Sequence, residues 1–188
     1  QPTTVRRTTK DNQPIQGIIT DTIFDNIQLP ALFMGYKIPD QRSSDSYALE
    51  FMNEILSGGN SSRINKSLIE RKQIATYASS FNYGLEDGGM NIFLALAKEG
   101  ISLEDLKTAF DEEIRLMKDQ LVSEEEYQSV LNKFEKQVVE SASSVAGIAE
   151  SLADNYVYFG SANRTNEMLD AYRKVTREDI QRVANTYL

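Results

Sequence analysis

Apolar positions along this 188-residue chain recur with two periods. Between Asp45 and Leu56, the residues Tyr47, Leu49, Phe51, Met52, Ile55 and Leu56 fall on one broad face at a period of about 3.6, predicting a deeply buried helix that opens at Ser43 or Ser44. Leu106, Phe110, Ile114 and Met117 predict a second long helix ending near Gln120, and Tyr127, Val130, Leu131, Phe134 and Val138 a third from Glu124 towards Ser141. Both begin at a serine followed three residues later by an acid, in Ser102-Leu103-Glu104-Asp105 and Ser123-Glu124-Glu125-Glu126. There the hydroxyl and carboxylate satisfy the first free amides of a helix. The small residues Ser141 to Ser144 predict a break before a helix over Val145 to Tyr158, and Thr165 and Thr176 open two short helices.

The other pattern is strand-like. Ile15 to Phe24 and Leu29 to Ile38 are rich in β-branched and aromatic residues around an Asp25-Asn26 turn, predicting an antiparallel pair, with Pro30 at a strand start or an edge. Ile74 to Tyr83 and Met90 to Ala97 alternate on either side of a Gly84 to Gly89 turn and predict a hairpin. Gln1 to Pro14 is polar and aperiodic, a linker or N-terminal arm. Residues 15 to 188 then form one α+β domain, an antiparallel sheet with helices layered on one face.

Between the first two predicted helices lies Gly58-Gly59-Asn60-Ser61-Ser62-Arg63. Two glycines adopt backbone angles closed to other residues, so they end one helix and turn the chain. Ser61 or Ser62 is placed to cap the next helix, which carries Ile64, Leu68 and Ile69 inward and Arg63, Lys66, Glu70, Arg71 and Lys72 outward.

Composition removes most chemistry. The chain has no histidine and no cysteine. Nucleophilic triads, the usual zinc sites, imidazole acid-base catalysis and disulfides are therefore excluded, and the redox compartment stays open. A net charge of −8 opposes nucleic acid and anionic membranes. No apolar run approaches the ~20 residues of a membrane span. Acid clusters such as Asp111-Glu112-Glu113 read as solvated helix faces, and Gly58-Gly59 and Gly88-Gly89 lack the strand and lysine context of a phosphate loop. The chain opens without methionine and ends at Asn185-Thr186-Tyr187-Leu188, as a piece of something longer would.

Four stretches, IQLPALFMGYKIP, YALEFMNEILSGGNSSRINKSLIERKQIAT, SSFNYGLEDGGMNIFLALA and VTREDIQRVANTYL, resemble in order the C-terminal half-domain of the insulinase, pitrilysin and mitochondrial processing peptidase family. The likeness covers about residues 15 to 188 and is strongest from Leu56 to Gly89. It implies an antiparallel sheet faced by helices. It also implies a chamber closed around an extended peptide, and zinc hydrolysis by an H-x-x-E-H motif carried on the N-terminal half of the same chain or on a partner subunit. A further strand normally follows the stretch matching VTREDIQRVANTYL, so an open sheet edge and weak self-association of the chain are expected.

Family C-terminal halves can add an Arg and, seven residues later, a Tyr in a pattern like L-R-E-K-R-G-L-A-Y. Ungapped alignment puts Ile69 and Thr76 at those positions, with Arg71 and Tyr77 nearby in shifted register as substitute substrate-binding residues. The resemblance thus implies a non-catalytic domain of a zinc metalloendopeptidase, contacting peptide and the zinc-bearing half, with zinc held outside these residues. The alternatives are a structural domain of a non-peptidase relative in a protein assembly and a freestanding peptide-binding module.

On its own, the 188-residue chain is expected to hold no stoichiometric zinc and to cleave no peptide. Metal analysis after dialysis checks this, and one tightly held zinc per chain or chelator-sensitive cleavage would overturn it.

Overall fold

Helix α1 (Ser46–Ser57) is the element on which the others assemble, because its buried residues Ala48, Leu49, Phe51, Met52, Ile55 and Leu56 leave little of its surface for water. The structure, a computed structural model, describes residues 17–141 and 144–188. Before α1 comes strand β1 (Ala31–Ile38). After it come a π-helix (Asn65–Arg71), strands β2 (Ala75–Gly84) and β3 (Gly89–Ala97), and helices α2 (Leu103–Asp119), α3 (Glu124–Ser141), α4 (Val145–Phe159), α5 (Arg164–Lys174) and α6 (Arg177–Tyr187).

The three strands form one antiparallel sheet in the order β1-β3-β2. In register, Phe33 faces Leu94 and Gly35 faces Ile92 on one side of β3, while Ser79 faces Leu94 and Phe81 faces Ile92 on the other. Alternation then sends Phe93, Ala95 and Ala97 of β3 towards the helices together with Ala75 and Ala78 of β2, all of them buried. Helix α1 packs on β2 and also against α3, α5 and α6, and α2 packs across β1 and β3. The expected α+β arrangement, helices on one face of an antiparallel sheet, is the one observed.

Aromatic rings join the helical layer to α1. Phe51 stacks on Tyr127 at 5.4 Å between centroids and meets Phe134 edge-on at 5.0 Å, and Phe134 stacks on Tyr172 at 4.5 Å. Phe93 bridges from the sheet to Phe110 of α2 at 5.4 Å. Burying each such side chain contributes about 2–3 kcal/mol, so this cluster is a principal source of stability.

Three helix starts follow the serine and threonine signals, while α5 begins at Arg164 behind Asn163, which makes no side-chain cap, and not at Thr165. Ser102 with Asp105 and Thr176 with Asp179 make reciprocal caps, and Ser123 with Glu126 does the same at α3. The Glu126 carboxylate carries a second load, accepting two bonds from the Arg63 guanidinium at 2.7 and 2.8 Å. One side chain thereby closes α3 and anchors the segment that follows the glycine turn.

Two further expectations are corrected. The predicted pair of strands over Ile15 to Phe24 and Leu29 to Ile38 does not form: within residues 17–24 there is no strand, Ile18, Ile19, Ile23 and Phe24 are exposed, and β1 pairs with β3 instead. β-branched content reports fit to a pleated surface, and β3 supplies that surface to β1 while nothing described supplies it to residues 17–24. The second correction concerns the cap expected from Ser61 or Ser62. The Ser62 backbone carbonyl, not a hydroxyl, accepts from the Lys66 amide at 3.0 Å, and the π-helix has no side-chain cap at its N-terminus. The proposed arm Gln1 to Pro14 lies outside the described residues.

Arg63 holds the Glu126 carboxyl at about 2, well below its ordinary 4.5, so its contribution to stability is full above pH 4.5 and is lost as pH falls towards 2. Glu126→Gln should therefore lower the melting midpoint at neutral pH, and the gap to wild type should close between pH 4.5 and about 2. Paired thermal melts across that range test this. A gap that persists below pH 2 would remove the ion pair from the account.

Candidate functional site

The Gly58-Gly59 turn positions everything downstream of α1. Gly58 has φ −75° and Gly59 has φ +118°. The two glycines serve different purposes. A Cβ on Gly58 would overlap the carbonyl oxygen of Glu54, which the Gly58 amide itself needs at 2.7 Å, while Gly59 has open space but a backbone that L-residues avoid. Lys133 of α3 ties the turn down by donating to the Gly58 carbonyl at 3.1 Å and pairing with Glu54.

The π-helix ends in a left-handed residue, Gln73 at φ +53°. Around it the Lys72 amide makes the last π-helical bond, to the Ser67 carbonyl at 2.9 Å, and the Ile74 amide reaches back to the Leu68 carbonyl at 3.0 Å. Glycine is the usual occupant of such a position, and glycine stands at this place in the family pattern to which Gln73 aligns.

Strand β2 opens with a bulge. Ala75 pairs with Ala97 but Tyr77 pairs with Leu96, leaving Thr76 as the extra residue, its hydroxyl donating to the Leu96 carbonyl at 3.3 Å. The bulge lets Tyr77 occupy the register that Thr76 would hold in a regular strand, so Tyr77 joins the outer face of the sheet. Arg71 goes elsewhere. It is exposed on the π-helix with its guanidinium 3.5 Å from the buried Glu113 of α2, and it makes no hydrogen bond to Tyr77.

That outer sheet face carries Phe33, Tyr77, Phe81, Tyr83 and Met90 exposed, with Ile92, Leu94 and Leu96 of β3 partly covered between them. Phe33 is 67% exposed and Tyr83 58%. No described element covers this face; Ile23, Phe24 and Ile27, in the segment before β1, are exposed as well. A contiguous apolar surface of this kind marks a contact site.

Polar residues in the buried phase form a second feature, one not foreseen from the sequence. Asn53 Oδ1 accepts from Ser80 Oγ at 2.8 Å and from Asn91 Nδ2 at 3.2 Å, Asn91 also donates to Asn82 at 2.7 Å, and Asn82 donates to the Leu49 carbonyl at 3.0 Å. Asn91 Oδ1 is left buried without a partner. The signal was present in the alternation, since Asn91 has the parity of Phe93 and Ala95. Next to this network, the Ser57 hydroxyl accepts from the Ser80 amide at 2.8 Å, covering part of the free edge of β2.

Beside the end of β2 a cleft of about 540 Å³ opens between α1, α3, α4 and α5. Glu50, in its wall, accepts from the Tyr172 hydroxyl at 2.5 Å. Burial raises the Glu50 carboxyl above its ordinary range, opposed by the Tyr172 hydrogen bond and by the charge of Arg164. Burial likewise pushes the Tyr172 phenol up, helped by the Glu50 charge. Among the described residues no group of three or more His, Cys, Asp or Glu side chains is arranged to hold a metal, and no helix is long and apolar enough to cross a membrane.

The site is a helix-backed antiparallel sheet with one open apolar face, reached from α1 through the glycine hinge. The family model described as "Peptidase M16 inactive domain" matches residues 1–134, and the chain belongs to that family as its inactive, C-terminal type of domain. Among curated proteins it is 30% identical over 171 residues to the zinc protease PqqE of Helicobacter pylori, covering 87% of this chain and 36% of that protein. The chain thus spans about a third of the relative's length. Among solved structures it superposes on a protease from Helicobacter pylori with a TM-score of 0.81 and 24% identity, covering 87% of this chain and 39% of the other. It superposes on a peptidase M16 inactive domain from Pseudomonas fluorescens with a TM-score of 0.74 and 18% identity, covering 84% of this chain and 38% of the other.

Two single substitutions separate the backbone effects around the hinge. Gly59→Ala should destabilise by about 1–2 kcal/mol, and Gln73→Gly should stabilise by up to about 1 kcal/mol because it relieves a left-handed side-chain residue. Denaturant titration of both variants checks the signs, and a neutral Gly59→Ala together with a destabilising Gln73→Gly would refute the assignment of strain.

Proposed function

We propose that this chain is the non-catalytic half of a zinc-dependent metalloendopeptidase, and that its outer sheet face turns towards the zinc-bearing half as one wall of the peptide chamber. The observation that carries this is the uncovered apolar face built from Phe33, Phe81, Tyr83 and Met90 on a domain whose helices all pack on the opposite side. A sheet face of that composition is stabilised by contact with another protein surface or with an extended peptide. The family assignment and the zinc protease relative support placing hydrolysis, and the zinc, on a second half that lies in the same longer chain or in a partner subunit.

In this reading Tyr77, brought to the outer face by the bulge, is a substrate-facing residue. Arg71, held against Glu113, takes a structural role instead, while Gly58 and Gly59 set the angle at which the sheet meets α1. Residues 15 to 188 act as the half-domain and Gln1 to Pro14 as its connecting arm.

Supplied in trans with a zinc-bearing half, the chain should form a complex that sedimentation velocity detects, and Phe33→Asp should weaken it about tenfold while leaving the melting midpoint unchanged. A chain that stays monomeric and indifferent to the zinc-bearing half would sink the proposal.

A further inference from the structure

Helix α4 is folded with its apolar side outward. Its inner side is small and polar: Asn155, the one buried residue of the helix, donates to the Thr165 hydroxyl at 3.0 Å, and the Ser151 hydroxyl lies in hydrogen-bond contact with the same hydroxyl at 3.1 Å. These bonds seat α4 on α5. Its ends are fixed by the Ser144 hydroxyl, which accepts from the Gly147 amide at 3.0 Å, and by Gly160 at φ +74°. With the polar positions turned inward, Val145, Ala146, Ala149, Ala153, Tyr156 and Val157 fall together on the outward face, all of them exposed, Val145 by 86% and Val157 by 68%. That is the reverse of the usual surface helix.

We infer that this face docks an amphipathic helix of a partner protein, apolar along its line of contact and edged with lysine or arginine. Ala146, Ala149, Ala153 and Val157 stand three, four and four residues apart, the spacing at which side chains of two helices interlock, and the alanines let the partner backbone come close. Charge decides what the partner carries. Exposed Glu150 and Asp154 border the face on one edge, half-exposed Ile148 and Leu152 on the other, and α4 has no lysine or arginine of its own. A second copy fits badly, because a two-fold antiparallel pairing sets each edge against its own copy and brings the acids together, while a parallel one sets them against Ile148 and Leu152. A lipid surface fits badly as well, since helices that lie on membranes carry basic residues on their polar side. None of the six outward residues lines the cleft beside α1 or belongs to the outer sheet face, so failure here would leave the peptidase reading intact.

The test titrates the 188-residue chain against two synthetic amphipathic helices that share one leucine face, edged with lysine in the first and with glutamate in the second, followed by fluorescence anisotropy. The lysine-edged helix is expected to bind at least about tenfold more tightly. Ala149→Gln with Ala153→Gln, which blocks close approach without altering charge, should remove that binding, and Glu150→Lys with Asp154→Lys should invert the preference although the chain stays acidic overall. Equal binding of the two helices, binding of neither, or a preference unmoved by the charge reversal would overturn the site. Self-association of the unaltered chain, or its adsorption to phosphatidylcholine vesicles, that the double glutamine variant abolishes would assign the face to a second copy or to lipid and overturn it equally. Should a variant fail to fold, the lysine-to-glutamate comparison on the unaltered chain, read from the methyl resonances of Val145 and Val157, decides alone.

Discussion

The burial of α1 is the constraint from which the remaining architecture follows. A helix lying against a strand on one side and three helices on the other must be apolar on most of its circumference, and Leu49, Phe51, Met52, Ile55 and Leu56 meet that demand. Where α1 cannot be apolar it is polar with a partner: Asn53 joins the buried amide network, Glu50 takes the Tyr172 hydroxyl, and Ser57 covers an amide of β2. Asn53 and Ser57 both meet Ser80 of β2, and Glu50 meets Tyr172 of α5. Helix α1 therefore fixes the positions of the sheet, of α3 and of α5 through directional bonds as well as through packing, and the Gly58-Gly59 turn has to end it at one residue for those bonds to register.

How much of this was legible in the sequence depended on the range of the signal. Helix starts at Ser102, Ser123 and Thr176 were readable because a cap is a contact over three residues, and the inward stripe of α2 was readable because burial repeats with the helical period. The hairpin of β2 and β3 was readable for the same local reason. Residues 17–24 misled because their composition fits a strand whether or not a partner strand exists. The π-helical turns over Asn65 to Arg71 and the left-handed Gln73 carry no composition signal, since neither glycine nor proline marks them.

The candidate site was legible only in part for similar reasons. The sequence located the hinge and brought forward Tyr77, but its facing depends on a one-residue bulge that spacing alone does not reveal. Arg71 was singled out by proximity in sequence, and a long-range pairing with Glu113 takes it to another neighbour. The cleft joins Glu50 to Tyr172 across 122 positions and Tyr47 to Arg164 across 117, separations at which one sequence holds no pattern to follow. The buried asparagines were the recoverable omission, because Asn91 breaks the apolar run of β3 at a position that alternation assigns to the core.

The double load on Glu126 has a kinetic meaning. Its carboxylate joins Arg63 to the first turn of α3 across 63 positions, spanning the whole hairpin and α2. Closing a loop of that length has an entropic cost that local helix formation does not offset. Helix α3 can nucleate from its serine cap alone, whereas the segment after the glycine turn acquires its anchor only when the intervening sheet has been laid down. Unfolding should then run in reverse, with the Arg63 end detaching before α3 frays.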